Sequence, residues 1–192
     1  MVVERSRLEP QARRAQLVEL GVQMLSTRPL EDVVVDEIAA AAGISRGLLF
    51  HYFKSKRDFY AAVAEAVSEE FFAATAPDPT HTIEEQLHQS LDQYVGYIED
   101  HQTAYESLIR GNAGGDDLLA SVFERTRRRI VERILERLGV PDPPAKLRIA
   151  VRGWVAFCEE VSLDWLPDKT VPRTEIVDLL EQSLVRLLEL AG

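Results

Sequence analysis

The residue types between Ser45 and Lys56 favour contact with a nucleic-acid phosphate backbone. The segment begins with a serine, continues through a short apolar run and two ring side chains, and ends in basic residues. A serine at a helix start accepts a hydrogen bond from a backbone N–H, and helix starts and basic side chains are groups that contact phosphates. These twelve residues therefore predict a small helix that anchors in a core on one side and reads DNA on the other.

The residues just before this segment predict the helix that supports it. Val35 to Ala42 have helical spacing, and Asp36 and Glu37 fall in the first turn, where the helix dipole favours negative charge. Gly43 can adopt the left-handed conformation that ends a helix. A helix, a glycine-containing turn and a second helix are typical of the helix-turn-helix, whose second helix enters the major groove.

Six residues of the segment are candidate DNA contacts, and they are Ser45, Arg46, Gly47, His51, Tyr52 and Lys56. The arginine and the histidine carry polar groups that can reach base edges, the glycine allows close backbone approach, and the other three suit phosphates. Leu49, Phe50 and Phe53 are interpreted as core. The alternative for Arg46 is an ordinary exposed arginine without a DNA contact.

This part of the chain resembles the tetracycline-repressor (TetR) family of bacterial transcription regulators. The resemblance covers roughly residues 12 to 67 and rests on Ile38, Ala39, Ala42 to Ser45, Gly47 to Lys56, and Phe59. Two departures concern DNA contacts: the family commonly has Thr or Ser where this chain has Val33 and Val34, and Tyr where it has Phe50. The hydroxyl groups expected at these positions are therefore missing.

The resemblance implies a non-enzymatic repressor that binds double-stranded operator DNA as a homodimer. Release from a near-palindromic operator would follow when a small-molecule effector, lipophilic and similar to an acyl chain or acyl-CoA, enters the C-terminal part. The expected domains are 1–55, which would bind DNA, and 56–192, which would bind ligand and dimerise, with a connecting helix at 56–74. The alternative is a ligand-binding or protein-interaction module of the same fold with weak or lost DNA binding.

Composition fits a single cytoplasmic protein with a sizeable core. The chain has 192 residues, 46% of them apolar, and one cysteine, Cys158. It contains no run of 18 apolar residues and no signal-peptide pattern. We therefore expect a soluble chain without structural disulfides or a membrane partner.

The formal net charge of −10 is unevenly distributed. Residues 1–60 carry nine basic and eight acidic side chains, which leaves 13 basic and 24 acidic side chains for the rest of the chain. An acidic body repels DNA in general. This distribution favours binding through a dimer that engages two half-sites.

The apolar periodicity is helical throughout, which predicts an all-α fold of about nine helices. The three N-terminal helices would form the helix-turn-helix domain, and the larger C-terminal part would be a helical ligand-binding and dimerisation domain. The expected helices after the reading segment lie at 56–74, 82–100, 103–111, 116–138, 144–165 and 173–190. Gly114 and Gly115, Pro141 to Pro144, and Pro167 to Pro172 are predicted breaks.

Aromatic and polar side chains on these later helices are candidate effector contacts, because the resemblance places a cavity there. The candidates are Tyr94, Tyr97, His101, Tyr105, Phe123, Trp154, Phe157 and Cys158. A closely packed core is an equally good interpretation of each one alone.

The last helix carries a stripe of aliphatic residues at spacings of three and four. With the helix at 144–165 it would form a four-helix dimer interface, as the resemblance implies. The candidate interface residues are Ile176, Leu180, Leu184 and Leu187. The alternative is that this stripe is buried within one subunit.

Catalytic and metal sites are not expected, and no cofactor is implied. His81, Glu84, Glu85 and His88 share one helix face, but such spacing is common on polar helices. The acidic neighbours of Cys158 raise a thiol pKa, which disfavours a nucleophile.

Overall fold

The computed structural model describes residues 9–111, 117–140 and 142–191. Within these ranges the chain forms nine α-helices, one short 3-10 helix at Leu30–Asp32, and no strand. The helices are α1 (Pro10–Leu25), α2 (Val35–Ala41), α3 (Arg46–Tyr52), α4 (Lys56–Ala74), α5 (Ile83–Asp100), α6 (Gln102–Gly111), α7 (Asp117–Arg137), α8 (Ala145–Trp165) and α9 (Arg173–Ala191). The prediction of an all-α fold is confirmed.

The helix boundaries follow the expected local signals. The Ser45 hydroxyl accepts a hydrogen bond from the Leu48 N–H at 3.2 Å and caps α3, while Gly43 has a φ of 65° in the preceding turn. Thr82 and Glu85 form a reciprocal capping box at the start of α5. The predicted break at Gly114 and Gly115 lies outside the described residues, as does Pro141 of the proline cluster.

The apolar side chains form two buried clusters. The first joins α1 to α4 and also includes Ala104 and Leu108 of α6 and Phe123 of α7. The second joins α5, α7, α8 and α9 around Trp154 and Trp165. The helix-turn-helix part therefore shares one core cluster with residues of α6 and α7, which pack against α4.

Ion pairs and hydrogen bonds fix the direction of α4 relative to α7. Glu65 pairs with Arg125 at 2.7 Å, Glu69 pairs with Arg129, and the Thr126 hydroxyl contacts that of Ser68 at 3.0 Å. These pairs advance together along both helices, so α4 and α7 run in the same direction. Exposed pairs of this kind contribute about 0–1 kcal/mol each, so burial supplies most of the stability.

None of the described helices is long and apolar enough to span a lipid bilayer.

Candidate functional site

The α3 helix separates its buried and exposed sides as the sequence predicts. Leu49 is fully buried, and Phe53, which follows the helix, is buried beside it. The side chains of Ser45, Arg46 and His51 are exposed, together with Gly47. A Cβ added to this glycine would meet no atom closer than the Ser45 hydroxyl at 3.9 Å. The exposed side of α3 is therefore open to close approach by a ligand as large as DNA.

Arg46 has partners that the sequence did not reveal. Its guanidinium lies 2.6 Å from the Asp36 carboxylate of α2 and 5.4 Å from the centre of the Phe50 ring. Both members of the ion pair are exposed, so the pair is weak in water. In this conformation the pair ties the first turn of α3 to the first turn of α2.

Two apolar side chains next to these groups were missed as candidate contacts. Leu48 on α3 is 40% exposed, and Val34, which precedes α2, is 42% exposed. An exposed leucine on a recognition helix can contact the methyl group of thymine. Val34 provides no side-chain cap for α2, as expected from the absence of Thr or Ser at this position.

Tyr52 and Lys56 lie at the far end of α3 and the start of α4. The Tyr52 ring is half-buried and stands edge-on to His51 with the centroids 5.6 Å apart. Lys56 is exposed, and its Nζ lies 4.9 Å from the centre of the Tyr60 ring. Its charge lies at the N-terminus of α4, where the helix dipole also favours an anion.

A cavity of about 310 Å³ lies among α4 to α9. Seven of the eight candidate effector contacts line it, and they are Tyr94, Tyr97, His101, Tyr105, Phe123, Trp154 and Cys158. Aliphatic residues such as Leu87, Leu108 and Leu184 supply much of the remaining wall. The structure thus brings together candidate side chains from α5, α6, α7 and α8 that the sequence indicated only one by one.

Phe157 is the exception, and the prediction that it lines the cavity is wrong. It is 38% exposed, and it is rotated around the α8 axis by about 60° from Trp154 and about 100° from Cys158. Successive residues of a helix are rotated by about 100°, so a residue adjacent to a buried one points elsewhere. Gly153 also faces outward, with no atom within 4 Å of an added Cβ.

Hydroxyl groups form a connected network where Tyr94 and Tyr105 approach α8, which we call the tyrosine end of the cavity. The Tyr94 hydroxyl lies 2.8 Å from that of Tyr105 and 2.7 Å from the Ser162 hydroxyl. Burial raises the pKa of both tyrosines well above the usual range. These hydroxyls therefore remain protonated at neutral pH. Burial also raises the pKa of Cys158, which disfavours a thiolate.

Two buried polar atoms in the wall lack a hydrogen-bond partner in the described part of the chain. They are the Tyr97 hydroxyl and Gln86 Oε1. Leaving such an atom unpaired costs about 1–3 kcal/mol. The wall therefore has unused capacity for one donated and one accepted hydrogen bond.

The predicted dimer stripe on α9 is wrong for three of its residues. Ile176, Leu180 and Leu184 are buried in the second core cluster of their own subunit, and Leu187 is half-buried. The stripe packs inward because α9 lies against both α5 and α8. The large apolar side chains that are exposed on α8 and α9 are different ones, namely Ile149, Phe157, Leu179, Val185 and Leu190.

One residue of the helix face considered for a metal ion, His88, lies beside acidic residues of another helix. His88 lies near Asp178 and Glu181 of α9, with their ligand atoms within 4.8 Å of one another. The His88 ring nitrogen contacts the Glu181 carboxylate at 2.8 Å. This exposed contact accounts for the arrangement as a pair between α5 and α9.

Comparison with known proteins agrees with this architecture. Residues 17–63 match the domain described as bacterial regulatory proteins of the tetR family, and residues 83–187 match the tetracyclin repressor-like C-terminal domain. The second match alone covers more than half of the chain. The chain therefore belongs to the TetR family of regulatory proteins.

Individual relatives match over shorter parts. The transcriptional repressor KstR2 of Mycolicibacterium smegmatis is 44% identical over 48 residues, which are 25% of this chain and 23% of that protein. The protein of Escherichia coli named "Probable acrEF/envCD operon repressor" is 23% identical over 126 residues, which are 62% of this chain and 57% of that protein. The chain thus matches less than two thirds of the length of either relative.

A solved structure of a tetR-family regulator from Streptomyces coelicolor superposes with a TM-score of 0.85. It is 29% identical, and the match covers 96% of this chain and 83% of that one. The helix-turn-helix and the later helices are therefore shared as one arrangement.

Proposed function

We propose that this protein is a transcriptional repressor that binds operator DNA as a homodimer and is released by a small lipophilic effector. The observation that carries the proposal is that α4 is shared by both parts. Phe59 and Val63 of α4 are buried in the core beneath the recognition helix. Phe71, further along α4, and Thr75, directly after its end, line the cavity. A change in the cavity can therefore alter the packing that positions α3.

A second connection runs through α6. Tyr105 lines the cavity, and two residues later the Ser107 hydroxyl accepts a hydrogen bond from the Leu30 N–H at 2.8 Å. Leu30 begins the 3-10 helix that leads into α2. An effector can shift the DNA-binding equilibrium only if it binds two conformations with different affinity. Movement of α6 against the 3-10 helix is the difference we propose.

The cavity has the properties of a ligand site. Its volume is at the lower end of the range of about 300–1,000 Å³ found for small-molecule pockets, and such pockets combine apolar walls with a few polar groups. The unpaired Tyr97 hydroxyl and Gln86 Oε1 would gain partners from an effector. Both features support binding of a mainly apolar molecule with polar substituents.

We infer that the dimer forms through the outward faces of α8 and α9. Ile149, Gly153 and Phe157 lie at successive turns of α8, and Leu179 and Leu190 are exposed on α9. Exposed apolar residues concentrated on two adjacent helices are typical of a contact between subunits. A two-fold contact would pair the same faces of two copies and present two α3 helices to one operator.

The DNA-binding proposal can be tested by electrophoretic mobility shift with DNA that flanks the gene. We expect a saturable complex whose affinity falls as salt rises, because phosphate neutralisation releases counterions. Scrambled DNA of the same length is the control. Equal affinity for both DNAs at every salt concentration would contradict an operator-specific repressor.

One observation favours the alternative of a ligand-binding module with weak DNA binding. The Arg46 guanidinium is held by Asp36 and lies beside Phe50, so a base contact requires this side chain to move. Asp36→Asn distinguishes a repressor from a module without DNA binding. The substitution removes the negative charge that pairs with Arg46 and keeps a side chain of the same shape in α2. A repressor would bind its operator at least as tightly with this variant, whereas a module without DNA binding would remain inactive on the same DNA.

A further inference from the structure

The cavity wall contains a cation without an acidic partner. We call the region around Thr75, Arg133 and Arg137 the arginine end of the cavity, which these three residues line. Arg133 donates hydrogen bonds to the Thr75 hydroxyl at 3.0 Å and the Phe72 carbonyl at 3.3 Å. Both acceptors are neutral, and no carboxylate of the described residues pairs with Arg133.

The surroundings of Arg133 are unfavourable for an isolated positive charge. Burial lowers its pKa, and the nearby charges of Arg137 and Arg129 lower it further. Arg129 has its own partner in Glu69. The contacts of this half-buried guanidinium are neutral, including the Phe72 ring with its centre 4.9 Å away, and two further arginines lie nearby. An anion would stabilise a positive charge in these surroundings.

The acidic residues in the cavity wall do not supply that anion. Glu159 forms a bidentate pair with Arg127, with contacts of 2.7 to 2.9 Å, and its charge is thereby balanced. Glu84 is exposed in the first turn of α5, where the helix dipole favours it. Arg127 and Arg133 are six residues apart on α7, about 9 Å along the helix. The Arg127–Glu159 pair therefore does not neutralise the charge of Arg133.

From this asymmetry we infer that the effector is an amphipathic carboxylic acid, with its carboxylate on Arg133 and its apolar chain extending toward the tyrosine end. This inference rests on the proposed effector site and specifies its ligand class. The guanidinium keeps N–H donors beyond the two already used, and its planar geometry suits a carboxylate.

The test uses matched probes on the unaltered protein. Decanoate, methyl decanoate and decyl phosphate carry unbranched alkyl chains of nearly equal length, and their binding can be measured by isothermal titration calorimetry without DNA. We expect decanoate to bind about tenfold or more tightly than its ester, as a charge-assisted hydrogen bond contributes. Equal or tighter binding of the ester would overturn the inference, and a preference for the phosphate would overturn the assignment to carboxylic acids.

Variants of Arg133 locate the anion. Arg133→Met should abolish the preference for decanoate over the ester while retaining binding of the ester, and Arg133→Lys should retain part of the preference. Arg129→Met is the matched control, because this arginine is already paired with Glu69, and it should keep the full preference. An unchanged preference in Arg133→Met would overturn the assignment of the carboxylate to Arg133.

The outcomes also separate this inference from the proposed function. If only the ester binds and it releases operator DNA, the proposed lipophilic effector stands and the inference that the effector carries a carboxylate fails. Failure of all three probes to bind would contradict both the cavity as an effector site and the ligand class. Melting curves of each variant identify any loss of binding that comes from unfolding.

Discussion

The candidate DNA contacts come from one stretch, residues 45–56, whereas the cavity wall comes from the six helices α4 to α9. In the first region, local signals such as the Ser45 cap and the Gly43 turn determine which side chains are exposed. In the second, a side chain's role depends on the rotation of its helix against several neighbours. The two regions therefore differ in how directly the sequence indicates their functional residues.

The largest effect expected concerns the two sides of α9. Leu180→Glu places a charge in the fully buried interior of the subunit and should cost more than about 4 kcal/mol of unfolding free energy. Leu179→Glu changes an exposed neighbour and should produce a folded monomer. Circular dichroism would follow helix content and light scattering would follow assembly. A folded dimer from both variants would contradict the division of α9 into an inner and an outer side.

The next effect concerns base and phosphate contacts at the recognition helix. Arg46→Ala should cost about 1–3 kcal/mol on the cognate operator and much less on unrelated DNA, if the side chain leaves Asp36 to contact a base. Lys56→Ala should weaken binding to all DNA about equally and lower the salt slope by roughly one unit. Fluorescence anisotropy titrations at several salt concentrations would measure both. Identical affinities for the two variants and the parent would contradict the assignment of α3 to the DNA interface.

A smaller effect is expected at the connection between the two regions. Ser107→Ala removes the acceptor of the Leu30 N–H and should reduce the coupling between decanoate binding and operator binding by about 1 kcal/mol. Decanoate affinity without DNA should stay within about twofold, since this hydroxyl is outside the cavity wall. Ser26→Ala is the control, because that exposed hydroxyl donates a local hydrogen bond to the Gln23 carbonyl. Unchanged coupling in Ser107→Ala would show that another path carries the signal.

The smallest effect is expected from Phe157→Ala. Because this ring is exposed, its loss should change the unfolding free energy of a single subunit by less than about 0.5 kcal/mol. Phe123→Ala removes a buried ring from the cavity wall and first core cluster and should cost about 3–5 kcal/mol. Urea denaturation in the Leu179→Glu background would compare them without a contribution from dimerisation. Equal costs would mean that the orientation of α8 is incorrect.

The fold was predictable because its signals are local and repeated. Helical periodicity, the serine and threonine caps, and the glycine and proline breaks indicated the helices to within a few residues. Residues such as Tyr94, Tyr105 and Cys158 were recognisable as candidate effector contacts from their types and from the family resemblance. Their shared position in the cavity wall required packing between helices that are distant in the sequence.

The choice between the two sides of an amphipathic helix was not predictable in the same way. The stripe of Ile176, Leu180 and Leu184 could face another subunit or the subunit's own core, because both environments remove apolar surface from water. The structure places α9 against α5 and α8, and this packing buries the stripe internally.

The sequence by itself determined that this protein is all-α, contains a helix-turn-helix, and resembles the TetR family over its first third. These conclusions depend on short segments whose conformations follow from neighbouring residues. Only the tertiary structure decided that Phe157 faces outward, that Leu180 is internal, and that Arg133 lies in the cavity wall without a carboxylate. The reason is that a side chain's partners across the fold depend on helix rotation and packing, which residue order along one helix does not specify.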